Sequence, residues 1–415
     1  MRKSFKAGIL FAAALGLAVG FAGESFAGPQ MTFGPDDEGA LQIDYKGQFQ
    51  LVGRDAGSGP AKENSTMSMN FRRNRLALMG KYGDMFGLYV QTEFTEDQNI
   101  NPLNVQDTNS GSNFELIDAN FRIKLDERLQ FNIGKFKYGF NRETLEACEA
   151  PLTLDRSLFL RAPSVATRDK GVGVWGNIAG GMFQYRADVT EGRKATTADA
   201  TQPASSFRYG VRGHVSLLDP EKDYGYKGTY LGKKKVLTVG GAYQVEPKIA
   251  YADIVDKSGA EDYKGWTADL FFEYPIEKVG TVTVSGAYED IDLGDLYKGA
   301  NPDPSLLGLA GQKNGYYAKA GYLLPSTPLQ FFGRYEKWRF ASLNNDSNGA
   351  ASGNVFDQKV SWYGAGANYY IKNVLNPNND QALKLTFEWS KAAFDKQNAT
   401  SKDFNTFTTQ LQVVF

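Results

Sequence analysis

LQIDYKGQFQLVG, residues 41–53, alternates between two kinds of side chain. Leu41, Ile43, Tyr45, Phe49 and Leu51 fall on one face, and Gln42, Asp44, Lys46, Gln48 and Gln50 on the other. A period of two is the geometry of a β-strand, whose successive side chains point to opposite sides. A strand sorted this cleanly separates an apolar medium from a polar one. The pattern returns in 114–125, where Ile117, Ala119, Phe121, Ile123 and Leu125 oppose Asp118, Asn120, Arg122 and Lys124. In 263–274 the outer set is Trp266, Ala268, Leu270, Phe272 and Tyr274, against Thr267, Asp269 and Glu273.

Working outward, sixteen segments read as strands: 41–53, 68–81, 85–96, 114–125, 129–137, 170–179, 182–191, 205–218, 235–246, 263–274, 280–290, 314–324, 329–340, 357–371, 381–394 and 403–415. Each is near the roughly ten residues that a tilted membrane-crossing strand requires. Long polar stretches follow the odd segments: 54–67, 97–113, 138–169, 192–204, 247–262, 291–313, 341–356 and 395–402. Tight turns such as Tyr82-Gly83-Asp84 and Gly180-Gly181 follow most even ones, with 219–234 and 372–380 longer. A soluble sandwich has no reason to sort its connections by parity, whereas a membrane barrel has long loops at one mouth and turns at the other. Water on both faces would also leave the aromatic rows as a large sticky surface.

Composition agrees. Aromatics make up 13% of the chain while apolar residues reach only 42%, as expected when apolar side chains occupy alternate positions. Met1–Ala27 reads as a cleaved signal peptide: Arg2, Lys3 and Lys6 precede an apolar run from Ile9 to Ala22, and Ser25-Phe26-Ala27 offers small residues at the cut. Removing those three cations with Glu24 takes the net charge from −1 to −3, so nothing suggests nucleic acid as a partner. The expected fold is all-β: residues 28–40 as a short polar periplasmic lead, then 41–415 as a transmembrane antiparallel β-barrel in a bacterial outer membrane. The last strand, FNTFTTQLQVVF (404–415), ends on an aromatic residue, a feature resembling the assembly signal of such barrels.

One connection breaks the alternation. YGFNRETLEACEAPLTLDRSLFLRAPSVATRD (138–169) is long for a loop and mixes charge with an apolar thread of Leu145, Leu152, Leu154, Leu158, Phe159 and Leu160. Long loops in compact domains are usually functional or disordered. The expectation is that this one folds into the lumen and narrows it. Basic residues on the wet face of the strands, Arg73, Arg75, Arg122, Lys124, Arg186, Arg208, Arg212, Lys319 and Arg334, join Arg142, Arg156 and Arg161 of the loop as candidate pore-lining, anion-binding groups. A low-dielectric wall focuses the field of such charges, and guanidinium offers oxyanions paired hydrogen bonds. Acidic neighbours on the same face, among them Asp118, Asp269, Glu336 and Glu388, oppose that field and leave a non-selective pore as the alternative.

Several stretches resemble the phosphate-selective porin O and P family: FRRNRLALMGKYGDMFGLYVQTEF (71–94), FELIDANFRIKLDERLQFNIGKFKYGF (114–140), RDKGVGVWG (168–176) and WYGAGANYYI (362–371). The resemblance, which extends to a branch linked to selenite and tellurite, implies a homotrimer of sixteen-stranded channels. It also implies an in-folded third loop and passive passage of small anions or oxyanions. Two other classes compete: a barrel sheathing a redox partner, and a barrel-type hydrolase built on His214 and Ser216. No cofactor or catalytic centre is expected, because a single His and a single Cys (Cys148) cannot make a zinc or c-type haem site.

Overall fold

In the computed structural model the described residues are 28–58, 64–96, 112–157, 160, 167–193, 203, 206–307, 311–345, 351–371, 379–396 and 402–415. Residues 1–27, expected to be a leader, and Leu158, Phe159 and Arg161 of the long loop lie outside them. The strands are β1 (Gln30–Phe33), β2 (Gly39–Ser58), β3 (Asn64–Tyr82), β4 (Phe86–Glu96), β5 (Ser112–Lys124), β6 (Gln130–Phe136), β7 (Asp169–Ile178), β8 (Phe183–Thr190) and β9 (Arg208–Ser216). They continue as β10 (Val236–Asp253), β11 (Ser258–Ile276), β12 (Gly280–Asp292), β13 (Lys313–Leu323), β14 (Leu329–Asn345), β15 (Ala351–Tyr370), β16 (Leu383–Phe394) and β17 (Phe404–Val414).

From β2 onward each strand pairs antiparallel with the next, and β17 closes the ring on β2 through Thr406↔Arg54 to Val414↔Lys46. In lipid an open sheet edge would strand its N–H and C=O groups, so only a closed sheet is viable. Sixteen strands form that ring, and β1 is additional. It pairs with the start of β2 (Gln30↔Gln42 to Phe33↔Gly39), continuing the edge that β17 leaves at Phe415. The stretch 28–40 is therefore partly strand; four residues were too few for alternation to register.

The faces sort as the pattern requires. Trp266, Leu270, Phe121 and Phe407 are exposed on the outside, while Thr267, Asp269, Phe271 and Glu273 are buried inside. The pairing register shifts at several places, two of which bear on the lumen. Gln48 pairs with Arg73 but Phe49 with Phe71, so Arg72 is the extra residue; Gln91 pairs with Asp118 but Thr92 with Leu116, so Ile117 is extra. Ile117 is accordingly buried, not on the outer face. Each extra residue also reverses the parity beyond it: Met67 and Met69 face out before Arg72 but Leu76 after it, and Leu116 before Ile117 but Phe121 after it.

Several strands also run past the membrane. The segment 247–262, which reads as a polar loop, is largely the paired hairpin of β10 and β11, and β14 and β15 take up much of 341–356. At 18 to 20 residues, β10, β11 and β15 exceed the roughly ten needed to cross. There the outer face no longer needs apolar residues, while inside Ile249 and Ala250 pack with Leu293 and Leu296, so the alternation fades.

Candidate functional site: the filled lumen

The long loop enters the barrel and spans it. It begins with a single helical turn, Arg142–Leu145, capped by Asn141, whose side chain accepts from Glu143 N (3.0 Å) and donates from Nδ2 to Thr267 Oγ1 on β11 (2.9 Å). From there it touches wall after wall. Gln48 on β2 donates to the Cys148 carbonyl (3.1 Å) and Gln412 on β17 to that of Glu149 (2.8 Å). Asn368 on β15 donates to the Leu152 carbonyl (2.9 Å), and Leu154 N donates to Glu388 on β16 (3.1 Å). A buried loop needs partners for its backbone groups, and the polar inner face supplies them. The apolar thread serves the same docking: Leu145, Leu152 and Leu160 are buried, and a Cβ on Gly321 would stand 2.5 Å from Leu152 Cδ1, so that glycine makes room for the leucine.

Charged contacts fix the crossing. Lys46 meets Glu149 (2.8 Å), Arg72 and Arg73 meet Asp155 (2.7 and 2.8 Å), Arg168 meets Asp118 (2.9 Å) and Lys319 meets Glu143. Burial opposes ionisation of Asp155, but Arg72, Arg73 and Arg156 outweigh it and hold the carboxyl well below the usual range. Glu149 behaves likewise, with Lys46 as the main counterweight to burial. For Glu146 the balance goes the other way: burial, then the neighbouring Glu143, outweigh Arg142 (3.8 Å), Lys319 and Arg156 and push it up to about 7.

A second segment enters from the opposite mouth. The connection 217–235, between β9 and β10, turns inward and buries Glu221, Tyr226 and Thr229. Tyr226 forms a parallel bridge with Glu146, and its carbonyl accepts from Ala147 N at 2.8 Å. Arg142 Nη1 and Nη2 donate to the two carboxylate oxygens of Glu221 at 2.6 and 2.7 Å. The same guanidinium lies between the rings of Phe271 and Tyr226, 3.9 and 4.6 Å from their centroids.

The strand residues singled out from sequence, Arg73, Arg75, Arg122, Lys124, Arg186, Arg208, Arg212, Lys319 and Arg334, all lie on the inner face, but their surroundings differ. Arg75 is forked onto Glu93 (2.9 and 2.8 Å) and donates to Cys148 Sγ (3.1 Å); Arg208 is forked onto Glu246. Arg212 grips both oxygens of Asp269 (2.6 and 2.8 Å), and Arg334 reaches Glu388 (2.7 Å). Arg142 is wholly enclosed, and Arg156 donates to the carbonyls of Glu143 and Thr144, its pKa pushed down to about 10 by burial and then by Arg73. Arg186 sits over Tyr224, 4.4 Å from its centroid, and donates to the Gln184 side chain and the Tyr224 carbonyl. Arg122 and Lys124 instead face a cavity of about 640 Å³.

That cavity lies between the long loop and the β4–β7 arc. Six basic residues, Lys46, Arg122, Lys124, Lys137, Arg168 and Lys222, line it against four acidic ones, Asp118, Glu127, Glu149 and Asp223. Lys46 and Arg168 are already paired, as above. Among the described residues, Arg122, Lys124 and Lys137 stand in no ion pair: Arg122 donates to Asn120 (3.0 Å) over the ring of Tyr89, and Lys137 donates to the Glu146 carbonyl. Burial first, then Arg156 and Arg168, pushes Lys137 well below the usual lysine range, which favours its neutral form.

Sequence reasoning missed Arg72, Lys46, Lys137 and the whole 217–235 segment as lumen groups. Lys46 was legible from strict alternation beside Tyr45, and the unusual length of 219–234 signalled the second segment. Arg72 points inward only because of the bulge, and its one signal is the change of apolar parity from Met67 and Met69 to Leu76.

Residues 43–251 match the family described as phosphate-selective porin O and P. An uncharacterized protein of Aquifex aeolicus is 24% identical over 306 residues, covering 68% of this chain; the chain spans 64% of that relative's length. Among solved structures, the fold resembles Salmonella typhi OmpF in complex with daunomycin (TM-score 0.56, 12% identity, 93% of this chain and 100% of that one). It likewise resembles the outer membrane channel DcaP of Acinetobacter baumannii (0.54, 13%, 94% and 100%) and an anion-selective porin from Comamonas acidovorans (0.53, 11%, 91% and 100%). At such identities these likenesses establish the barrel alone.

Proposed function

The chain belongs to the phosphate-selective porin O and P family of outer-membrane channels, and on that premise we propose that small hydrophilic anions, oxyanions among them, pass through it passively. The observation that carries this reading is the cavity against β4–β7. It holds Arg122 and Lys124 with no carboxylate paired to them among the described residues, in a lumen walled by lipid-facing strands. Fixed charge in such a cleft concentrates counter-ions and excludes co-ions. The neutralised guanidiniums elsewhere on the wall favour the competing non-selective pore. Reversal potentials of the purified protein in a planar bilayer under a KCl gradient decide between them: a sign set by chloride is expected, and a potassium-set sign overturns the anion reading.

Passage of solute also accounts for the lumen better than the other classes. A redox partner protein would need the space that the two inward segments fill. His214 Nδ1 is engaged with the Tyr226 hydroxyl at 2.7 Å, and the Ser216 hydroxyl lies against Thr238, so the pair is not arranged as nucleophile and base. The family further suggests a homotrimer exported behind a cleaved leader. The mass of the detergent-extracted particle and an amino terminus at Gly28 test those two points.

A further inference from the structure

We propose that the 217–235 connection is a second constriction element, and that Glu221 is the positioning residue through which it holds the long loop across the lumen. This rests on reading the barrel as a channel. The consequence is a specificity-determining one: permeating anions are confined to the β4–β7 arc and never meet the neutralised basic residues of the opposite arc.

The two segments enter from opposite mouths and join in mid-barrel, backbone to backbone. Ala147 N donates to the Tyr226 carbonyl (2.8 Å), Tyr226 N to that of Leu145 (3.3 Å), and Gly228 N to that of Ala150 (2.8 Å). The connections 83–85, 125–129, 179–182, 277–279 and 324–328 at this mouth are tight turns. Glu221 sits at the junction. It receives both arms of Arg142, the first residue of the long loop's helical turn, and the Tyr230 hydroxyl as well. Both members of the pair are almost fully buried, so the forked charge pair has no water competing for it. Tyr226 ties the same junction to the wall, its ring 5.1 Å from the Arg186 guanidinium and 5.7 Å from that of Arg212, its hydroxyl on His214.

Gly228 shows how closely the segments approach. A Cβ there would stand 2.5 Å from Leu152 N and 3.0 Å from the Ala150 carbonyl oxygen, backbone atoms that cannot swing away. Gly228→Ala therefore pushes the junction apart while leaving every charge in place. Glu221→Gln weakens it by removing the carboxylate, and Glu221→Asp keeps the charge.

Single-channel recordings in KCl test the proposal on wild type and all three variants. Glu221→Gln and Gly228→Ala are each expected to raise conductance several-fold and add open-channel noise. Their reversal potentials should fall toward zero as the neutralised arc becomes accessible, and Glu221→Asp should restore much of the wild-type behaviour. Gly228→Ala keeps the test decisive if the buried charge change prevents assembly. A conducting wild type with folded variants of unchanged conductance and selectivity overturns this inference alone. A wild type that carries no current overturns the channel reading and this one with it.

Discussion

Arg212 and Arg122 are both inward-facing arginines on the same barrel, yet their charges end differently. Arg212, on the arc running from β9 to β16, is forked onto Asp269 and capped by the Phe140 carbonyl. Arg122, on the β4–β7 arc, faces a cavity and meets only an amide oxygen and a tyrosine ring. The difference lies in what crosses the lumen in front of each. The long loop presses against the far arc, where every approaching charge must be matched or pay a desolvation penalty. Against the near arc it stands off, and water can do the solvating. An inward guanidinium is therefore a structural group in one arc and a field source in the other.

Removing residues 145–160 should abolish that distinction, since nothing would then separate the arcs. Single-channel conductance is expected to rise several-fold, and an unchanged value would mean that the loop is not the barrier. Next in size is a matched pair of substitutions. Arg212→Gln leaves Asp269 buried without its partner, a loss of roughly 3–5 kcal/mol of stability, read as an earlier denaturant midpoint in detergent, with selectivity little altered. Arg122→Gln should shift stability by no more than about 0.5 kcal/mol while moving the reversal potential toward zero. The opposite assignment of effects would break the comparison.

The smallest expected effect is pH dependence at the loop. Glu146, raised from 4.5 to about 7, is neutral below that value and negative above it. Anion preference should accordingly weaken as pH rises through 7, and Glu146→Gln should flatten the profile. Because the folded state favours the protonated carboxyl, the stability linked to this group is highest at low pH. It is lost progressively as pH climbs from the ordinary value toward the raised one.

Much of this architecture is readable in the sequence. All sixteen barrel strands, from 41–53 to 403–415, overlap strands of the structure, because lipid outside and water inside impose period two on every crossing. Where that imposition stops, the reading stopped too: past the bilayer the outer face of β10 and β11 no longer needs apolar residues, and β1 is too short to show a period. The bulges at Arg72 and Ile117 were missed because each flank alternates on its own, and only the reversal of outward parity from Met69 to Leu76 and from Leu116 to Phe121 marks them.

The site was legible only in part, for a different reason. Alternation tells that Arg122, Arg208 and Arg334 point inward, a property of the backbone and so written locally. It says nothing of whether a carboxylate waits opposite. Glu221 meets Arg142 across 79 residues, and Glu143 meets Lys319 across 176. The sequence by itself determined the barrel, its two faces and the odd loop, since each follows from neighbours along the chain. Which charges are cancelled and which remain to face a solute was decided by the tertiary structure, because an electrostatic field depends on distance through space.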